Sequence, residues 1–176
     1  MAKPTLNPEI AKPSAEIATI LVPIDFSPCS LEAYRLALSV ARRYDAELRL
    51  LYVVDTRMLA AVEHLGIPLP AGQTKKIRHR VRLSFRALME SEKGVRMRRT
   101  IAEGTPFTEI MRQARTEKVD LIVIGTYGGR TGELEKIFFG STAEKVVRAS
   151  PCPVLCVPLK GLGAERSATP RGGARA

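Results

Sequence analysis

The sequence predicts one α/β domain built on an open, doubly wound parallel sheet. Between residues 18 and 158, five short apolar segments rich in β-branched residues alternate with segments of helical periodicity. Such alternation is typical of parallel strands joined by right-handed crossovers, with helices on both faces of the sheet. The 176 residues are 45% hydrophobic, which suffices for one sizeable core. Sheets of this kind bind ligands at the carboxyl ends of the strands, where the strand order reverses.

The first half of the domain contains two strands and two main helices. Residues 19–24 form the first strand, and Ser27 caps the next helix with Pro28 at its first position. Residues 47–54 form the second strand, and the longer connection over residues 55–71 has room for a short helical segment. The second main helix runs from about residue 73 to 92. Its buried side is predicted from four apolar residues, Ile77, Val81, Leu88 and Met89.

The second half completes the sheet with three strands. Residues 95–101 alternate apolar and basic side chains, which predicts a half-exposed edge strand. Pro106 starts the third helix, residues 120–124 form a buried fourth strand, residues 141–149 a helix and residues 153–157 the fifth strand. Residues 1–17 and 159–176 are predicted to be disordered tails, because their composition is polar and rich in Pro or Gly.

The net charge of +10 is concentrated in one part of the chain. Residues 73–100 carry ten Lys and Arg against two Glu, a net of +8, and the C-terminal tail is basic as well. Such a block is typical of a surface that binds nucleic acid or another polyanion. The alternative is a solvated helix face that has no partner.

No catalytic or metal-binding pattern stands out in the sequence. His64 and His79 fit no metal or triad spacing, and no Gly-Lys-Ser/Thr motif follows the Gly-rich loop. The three cysteines, together with the absence of an apolar N-terminal segment, predict a cytoplasmic protein with reduced thiols. Cys29, in the first turn of the first helix, is a candidate reactive thiol, whereas Cys152 and Cys156 are predicted to be small core residues.

Loops after the first two strands are predicted to line a site where the first and fourth strands are neighbours. Asp25 follows the first strand, where its carboxylate can accept hydrogen bonds from a ribose or an adenine amino group. It can instead satisfy backbone N–H groups of its own loop. Val53, near the end of the second strand, can offer an apolar wall to a purine or belong to the core.

The third loop, residues 125–142, combines a Gly-rich turn with the start of a helix. Glycines allow a tight turn and a close approach of backbone to a ligand. Gly140 and Ser141 open the helix, whose free N–H groups can face an anion. The alternative is a turn followed by a capping box, because residues 141–144 match the pattern S/T-x-x-E.

Taken together, these segments resemble the universal stress protein family. The likeness rests on residues 20–27, 50–54, 104–106, 120–128, 140–146 and 151–155. The resemblance implies a Rossmann-like, adenine nucleotide alpha hydrolase-like sheet of order 3-2-1-4-5 with helices on both faces. It also implies a cytoplasmic stress-response or regulatory protein, and a homodimer formed by antiparallel pairing of the last strands, here residues 153–157.

One branch of that family binds ATP through a Gly-x2-Gly-x9-Gly-Ser/Thr motif, and another branch lacks the motif and does not bind ATP. Matching this motif implies a phosphate site and an adjoining ribose and adenine site. The phosphate residues are Gly125, Gly128, Gly140, Ser141 and Thr142; the ribose and adenine residues are Asp25 and Val53, with Pro23 and Ile24 nearby. The sequence departs from the motif in one place, because eleven residues rather than nine separate Gly128 from Gly140.

The resulting hypothesis is a regulatory protein that binds ATP with Mg²⁺, or another adenine nucleotide, and hydrolyses it slowly if at all. Two alternatives stay open. The first is a dimeric interaction protein of the same fold that binds no nucleotide, which the longer glycine spacing would explain. The second is a nucleic-acid or polyanion binder that uses residues 75–99. No apolar run approaches the ~20 residues of a membrane span, so no membrane partner is predicted.

Overall fold

The computed structural model describes residues 16–68, 72–127 and 140–159. Five strands and five helices lie within these ranges. In chain order they are β1 (Thr19–Pro23), α1 (Pro28–Tyr44), β2 (Glu47–Asp55), α2 (Thr56–His64), α3 (Gln73–Glu90), β3 (Met97–Gly104), α4 (Pro106–Thr116), β4 (Leu121–Gly125), α5 (Ser141–Ala149) and β5 (Val154–Val157).

The five strands form one parallel sheet of order β3-β2-β1-β4-β5, which confirms the predicted fold class. The chain builds outward from β1 to β2 and β3, then crosses back to add β4 and β5 on the other side. The strand order therefore reverses between β1 and β4, and a crevice opens at their carboxyl ends.

Two apolar cores lie on opposite faces of the sheet. On one face, α1 and α3 cover the strands, and the fully buried Phe85 packs in the same cluster as Tyr34. On the other face, α4 and α5 pack through Ile110 and Val146, both almost completely buried. The helices cover both faces of the parallel sheet, and this buries the apolar side chains that its strands present on each side.

Several predicted boundaries differ from the structure because pairing between strands overrides the local pattern. The edge strand β3 spans Met97–Gly104 rather than residues 95–101, since it pairs with β2 along its full length, from Leu48 with Met97 to Asp55 with Gly104. The helix α3 ends at Glu90, two residues earlier than predicted. Its most buried residue, Phe85, was missed, and Ile77, Leu88 and Met89 are only partly buried.

The connection after β2 contains the short helix that the sequence left room for. The Asp55 side chain caps α2 by accepting a hydrogen bond from the Arg57 amide at 3.0 Å. Burial opposes ionisation of this carboxyl, but the hydrogen bonds and charge of Arg57 prevail and lower its pKa. None of the residues in α2 is buried, so this helix rests on the surface of the domain.

The predicted tails fall almost entirely outside the described residues, and their disorder therefore stays a prediction. Among the helices that the structure describes, none is long and apolar enough to cross a membrane.

Candidate nucleotide site

A cleft of about 200 Å³ lies at the carboxyl ends of β1 and β4. Eight of the nine predicted site residues line it: Pro23, Ile24, Asp25, Val53, Gly125, Gly140, Ser141 and Thr142. The ninth, Gly128, lies outside the described residues. Residues from three separate stretches of the chain are therefore brought together at the point where the strand order reverses.

Asp25 has one of the two roles that the sequence left open, and its contact with a ligand stays a prediction. One carboxylate oxygen, Oδ1, accepts a hydrogen bond from the Ser27 amide at 2.9 Å, which holds the loop before α1. The side chain is nevertheless exposed and lines the cleft. Its second oxygen, Oδ2, has no hydrogen-bond partner among the described residues, so it remains available to a donor on a ligand.

Phe26 holds this loop in an uncommon conformation. Its φ of 64° is left-handed, which costs a non-glycine residue free energy unless packing compensates. The Phe26 ring packs against Tyr52 and Phe85, with centroid distances of 5.9 and 5.4 Å. The aromatic contacts thus fix the turn that presents Asp25 to the cleft, and nothing in the local sequence pattern predicted this role.

The end of β2 supplies an apolar wall to the cleft. Val53 is half-buried and lines the cleft, as predicted, and it also packs against the core on the α4 side. The neighbouring Tyr52 faces the opposite side of the sheet. Burial, reinforced by the negative charge of Asp25, raises the pKa of the Tyr52 phenol, so this group stays neutral near physiological pH.

Gly125 lines the cleft, and it also has a packing role that the sequence did not predict. A Cβ atom at this position would come within 2.9 Å of the Cys29 carbonyl carbon and oxygen and 3.0 Å of the Ser30 nitrogen. The glycine therefore lets the end of β4 approach the backbone at the start of α1. Its missing side chain thus makes room for a helix, and its predicted contact with a ligand stays a prediction.

The N-terminus of α5 lacks a side-chain cap. Gly140 is the N-cap residue and has no side chain, so the alternative of a capping box over residues 141–144 is wrong. The Gly140 amide donates to the Thr126 carbonyl at 2.8 Å, which ties α5 to the end of β4. Among the described residues, no acceptor bonds the amides of Ser141, Thr142 and Ala143, and all three residues line the cleft. This arrangement suits a phosphate or another anion.

Other lining residues were not assigned to the site from the sequence. Pro106 and Ile110 of α4 contribute apolar surface, and Thr126 and Tyr127 continue the wall beyond β4. Pro106 belongs to a segment that carried the family likeness, so a signal for it existed. Ile110 was identified only as a core residue, because helical periodicity does not show which end of a buried face meets a ligand.

The cysteines have packing roles rather than reactive ones. Cys29 is buried, and its thiol donates a hydrogen bond to the Val157 carbonyl at 3.2 Å, which argues against the predicted reactive thiol. Cys152 and Cys156 are partly buried against the α4 and α5 core, and burial raises the pKa of both thiols. In the described part of the chain, His, Cys, Asp and Glu side chains nowhere cluster in threes as metal ligands would.

Comparison with known proteins identifies the family. A sequence model of the universal stress protein family matches residues 16–158. The chain belongs to the universal stress protein family. It is 38% identical over 138 residues to universal stress protein MJ0531 of Methanocaldococcus jannaschii, covering 78% of this chain and 80% of that protein. It is 33% identical over 145 residues to universal stress protein YxiE of Bacillus subtilis, covering 78% of this chain and 97% of that protein.

Solved structures of this family share the fold. The hypothetical protein MJ0577, from a study that assigned biochemical function from structure, superimposes with a TM-score of 0.71 at 28% identity, over 84% of this chain and 99% of that one. A universal stress protein in complex with cAMP superimposes with a TM-score of 0.59 at 21% identity, over 82% of this chain and 99% of that one. The universal stress protein of Archaeoglobus fulgidus in complex with dAMP superimposes with a TM-score of 0.56 at 20% identity, over 81% of this chain and 99% of that one.

Proposed function

We propose that the cleft binds an adenine nucleotide, ATP with its Mg²⁺ or a related adenine ligand, and that the protein is a cytoplasmic regulator of the stress response. The observation that carries the proposal is the convergence of all eight described site residues on one cleft. The fold accommodates cAMP and dAMP in the two solved structures named above, which is compatible with an adenine ligand here.

The residues at the two ends of the cleft suit the two ends of a nucleotide. Free amides of Ser141 and Thr142, with hydroxyls that bond no described residue, would receive phosphate oxygens at the positive end of the α5 dipole. Asp25 would accept hydrogen bonds from the ribose, and Val53 would pack against the base. Among the described residues no group of metal ligands is present, so the proposal has Mg²⁺ bound mainly by the phosphates and water.

The described part of the cleft is poorly equipped for catalysis. Asp25 is its one carboxylate, and no Lys, Arg or His side chain lines it. Phosphoryl transfer depends on cations that neutralise the developing charge and on a group that orients the attacking water. We therefore propose that the protein binds ATP and hydrolyses it slowly if at all.

Calorimetric titration of the nucleotide-free protein with ATP and Mg²⁺, AMP and GTP tests this function. We expect micromolar binding selective for adenine, abolished by Gly140→Arg. The φ of −62° at Gly140 is ordinary for any residue, so the substitution fills the cleft without backbone strain. Thr108→Arg on the exposed side of α4 adds the same charge outside the cleft and should bind like the wild type.

Two outcomes of that titration would overturn the proposal. Absence of heat with every nucleotide would place the chain in the branch that does not bind ATP, and the eleven-residue glycine spacing would then be the reason. Equal affinity of the wild type and Gly140→Arg would show that the nucleotide binds elsewhere.

We also propose that the protein is a homodimer through β5. Among the described strands, β5 pairs only with β4 and forms one edge of the sheet, and its Leu155 is 37% exposed. Leu155→Lys should shift the protein to monomers in analytical ultracentrifugation. Leu36→Lys on α1 is a matched control, since Leu36 is 39% exposed and lies away from the edge. Loss of the dimer in both variants, or in neither, would refute this interface.

A further inference from the structure

The strongest unassigned feature is a basic surface formed by α3 and the edge strand β3. Between Gln73 and Met89, α3 carries six Lys and Arg residues and no Asp or Glu. Helical spacing places four of them in one row along the side of α3, since positions three and four apart are neighbours. We define the basic surface as this row and one strand residue: Lys75, Arg78, Arg82, Arg86 and Arg99.

Two contacts show that the row on α3 lies beside β3. Arg78 forms an ion pair with Glu103 of β3 at 2.8 Å. Ile101 of the same strand packs against the core cluster that contains Phe85 of α3. Side chains alternate along a strand, so Arg99 faces the same side of the sheet as Ile101 and Glu103. The helix and the strand therefore present their cations to one continuous area of solvent.

The charges on this surface are mostly not neutralised by the protein. Lys75, Arg82 and Arg99 are exposed, and none of them forms an ion pair with a described residue. Arg78 and Arg86 have one carboxylate partner each, at positions at least 32% exposed. On the opposite face of the sheet, by contrast, Glu47 bonds both Arg49 and Arg98.

The chemistry of the surface favours a row of phosphates over other anionic partners. Guanidinium groups bind phosphate oxygens in bidentate fashion, and four of the five cations are arginines. The row from Lys75 to Arg86 spans about 16 Å at 1.5 Å per residue, comparable to several phosphates of one DNA strand. No side chain on it reads bases by stacking, because the single aromatic residue of α3, Phe85, is fully buried.

We propose that the basic surface binds the phosphate backbone of duplex nucleic acid without sequence preference. A lipid surface fits less well, because Leu83 is the one large exposed apolar residue on α3 and membrane-surface helices bury an apolar face. No residue of the basic surface lines the cleft, so this activity is separate from the proposed nucleotide site and either can fail without the other.

The test measures binding of the full chain to a fluorescent duplex of about 30 base pairs between about 50 and 200 mM salt. A triple variant, Lys75→Gln, Arg82→Gln and Arg99→Gln, removes the three unpaired cations. Each phosphate contact adds about 0.9 to the log–log salt slope, so the triple variant should lower the slope by about 3. The ratio of wild-type to variant affinity should therefore be about 40-fold larger at about 50 mM salt than at about 200 mM.

The matched control is a second triple variant, Arg43→Gln, Arg115→Gln and Lys118→Gln. These cations are also exposed and form no ion pair with a described residue, so the net charge changes equally. We expect the control to keep the wild-type salt slope, with both variants unfolding at the wild-type temperature. An equal loss in the two variants, or no binding of the duplex by the wild type at low salt, would overturn the proposal. So would tighter binding to phosphatidylglycerol vesicles or to polyglutamate than to the duplex.

Discussion

Among the helices that begin at the cleft, α1 and α5 have first turns that are built differently. At the start of α1, the Ser27 hydroxyl accepts a hydrogen bond from the Ser30 amide at 3.3 Å, and Pro28 removes one N–H group that would otherwise lack a partner. At the start of α5, Gly140 offers no side chain, and no described residue accepts from the first three amides. At the start of α1 a side chain accepts from a free amide, whereas at the start of α5 the first amides have no partner among the described residues.

The start of α1 is structural, whereas the start of α5 is the one proposed to bind phosphate. A helix N-terminus leaves up to four N–H groups without intrahelical partners, and a cap or a ligand can satisfy them. The start of α1 is also packed against the backbone of Gly125, so it has little room for a ligand. The start of α5 borders the cleft and keeps its donors. The following variants test this difference, from the largest expected effect on stability to the smallest.

Gly125→Ala should produce the largest loss of stability. The new Cβ would meet backbone atoms of Cys29 and Ser30 at 2.9 to 3.0 Å, and backbone cannot yield as the end of a flexible side chain can. Overpacking of this kind costs on the order of 3 kcal/mol. Urea denaturation should show that loss, whereas Gly140→Ala should change the unfolding free energy by less than about 1 kcal/mol. Similar losses in both variants would contradict the tight packing of β4 on α1.

Tyr34→Phe should reveal how α1 is anchored along its length. The Tyr34 hydroxyl donates to the Leu88 carbonyl at 3.1 Å, a bond worth about 1 kcal/mol at neutral pH. Burial, with the negative charge of Glu92 and against the positive charge of Arg42, raises the pKa of Tyr34 to about 12. The folded protein thus holds this proton more tightly than the unfolded chain, whose tyrosines ionise near pH 10.

The sign of the pH effect follows from that difference. The contribution of Tyr34 is fully present below about pH 10 and is lost as the pH rises towards 12. Urea denaturation at both pH values should therefore show the wild type losing on the order of 2 kcal/mol of stability relative to Tyr34→Phe, so that the variant becomes the more stable protein near pH 12. A constant difference between the two proteins across this range would rule the raised pKa out.

Ser27→Ala should weaken α1 without affecting the ligand. Loss of an N-cap hydroxyl costs about 1 kcal/mol of stability. The bond from the Ser27 amide to Asp25 involves backbone and survives the substitution, so affinity for ATP should stay within about twofold. A tenfold loss of affinity in calorimetry would mean that the two helix starts are not independent.

Thr142→Val should weaken the binding of ATP and have the smallest effect on stability. Its hydroxyl bonds no described residue, so the unfolding free energy should change by less than about 0.5 kcal/mol. A hydrogen bond to a charged phosphate is worth at least about 1.5 kcal/mol, so ATP should bind about tenfold more weakly. Thr108→Val, an exposed position on α4, is the control for the loss of a hydroxyl. Unchanged affinity in Thr142→Val would remove this hydroxyl from the phosphate site.

The fold followed from the sequence because its signals are local. Five β-branched segments gave the strands, and Ser27 with Pro28 marked the start of α1 where the structure places it. The limits of β3 and the burial of Phe85 could not be predicted in the same way. They depend on the pairing of β3 with β2 and on the packing of Phe85 against Phe26, which are contacts between residues distant in the chain.

The residues of the site were predictable because their signals are local in the sequence, whereas their contacts were not. The lining residues carried a recognisable pattern, but their contacts did not. Gly125 meets the start of α1, almost a hundred residues earlier in the chain, and the Gly140 amide is taken by Thr126. The pattern S/T-x-x-E suggested that Ser141 caps α5, yet the Gly140 carbonyl accepts the first helical bond, from the Glu144 amide at 3.0 Å, so the N-cap is one residue earlier. Spacing along the chain cannot show which amide is occupied and which is free.

The most direct test of the account is an amide NMR spectrum recorded while ATP and Mg²⁺ are added. The amides of Ser141, Thr142 and Ala143 have no acceptor among the described residues, so they should show the largest chemical-shift changes. The Gly140 amide, already bonded to Thr126, should move less. Saturation with ATP that leaves the three α5 amides unmoved while other regions respond would contradict the claim that the open helix start is the phosphate site.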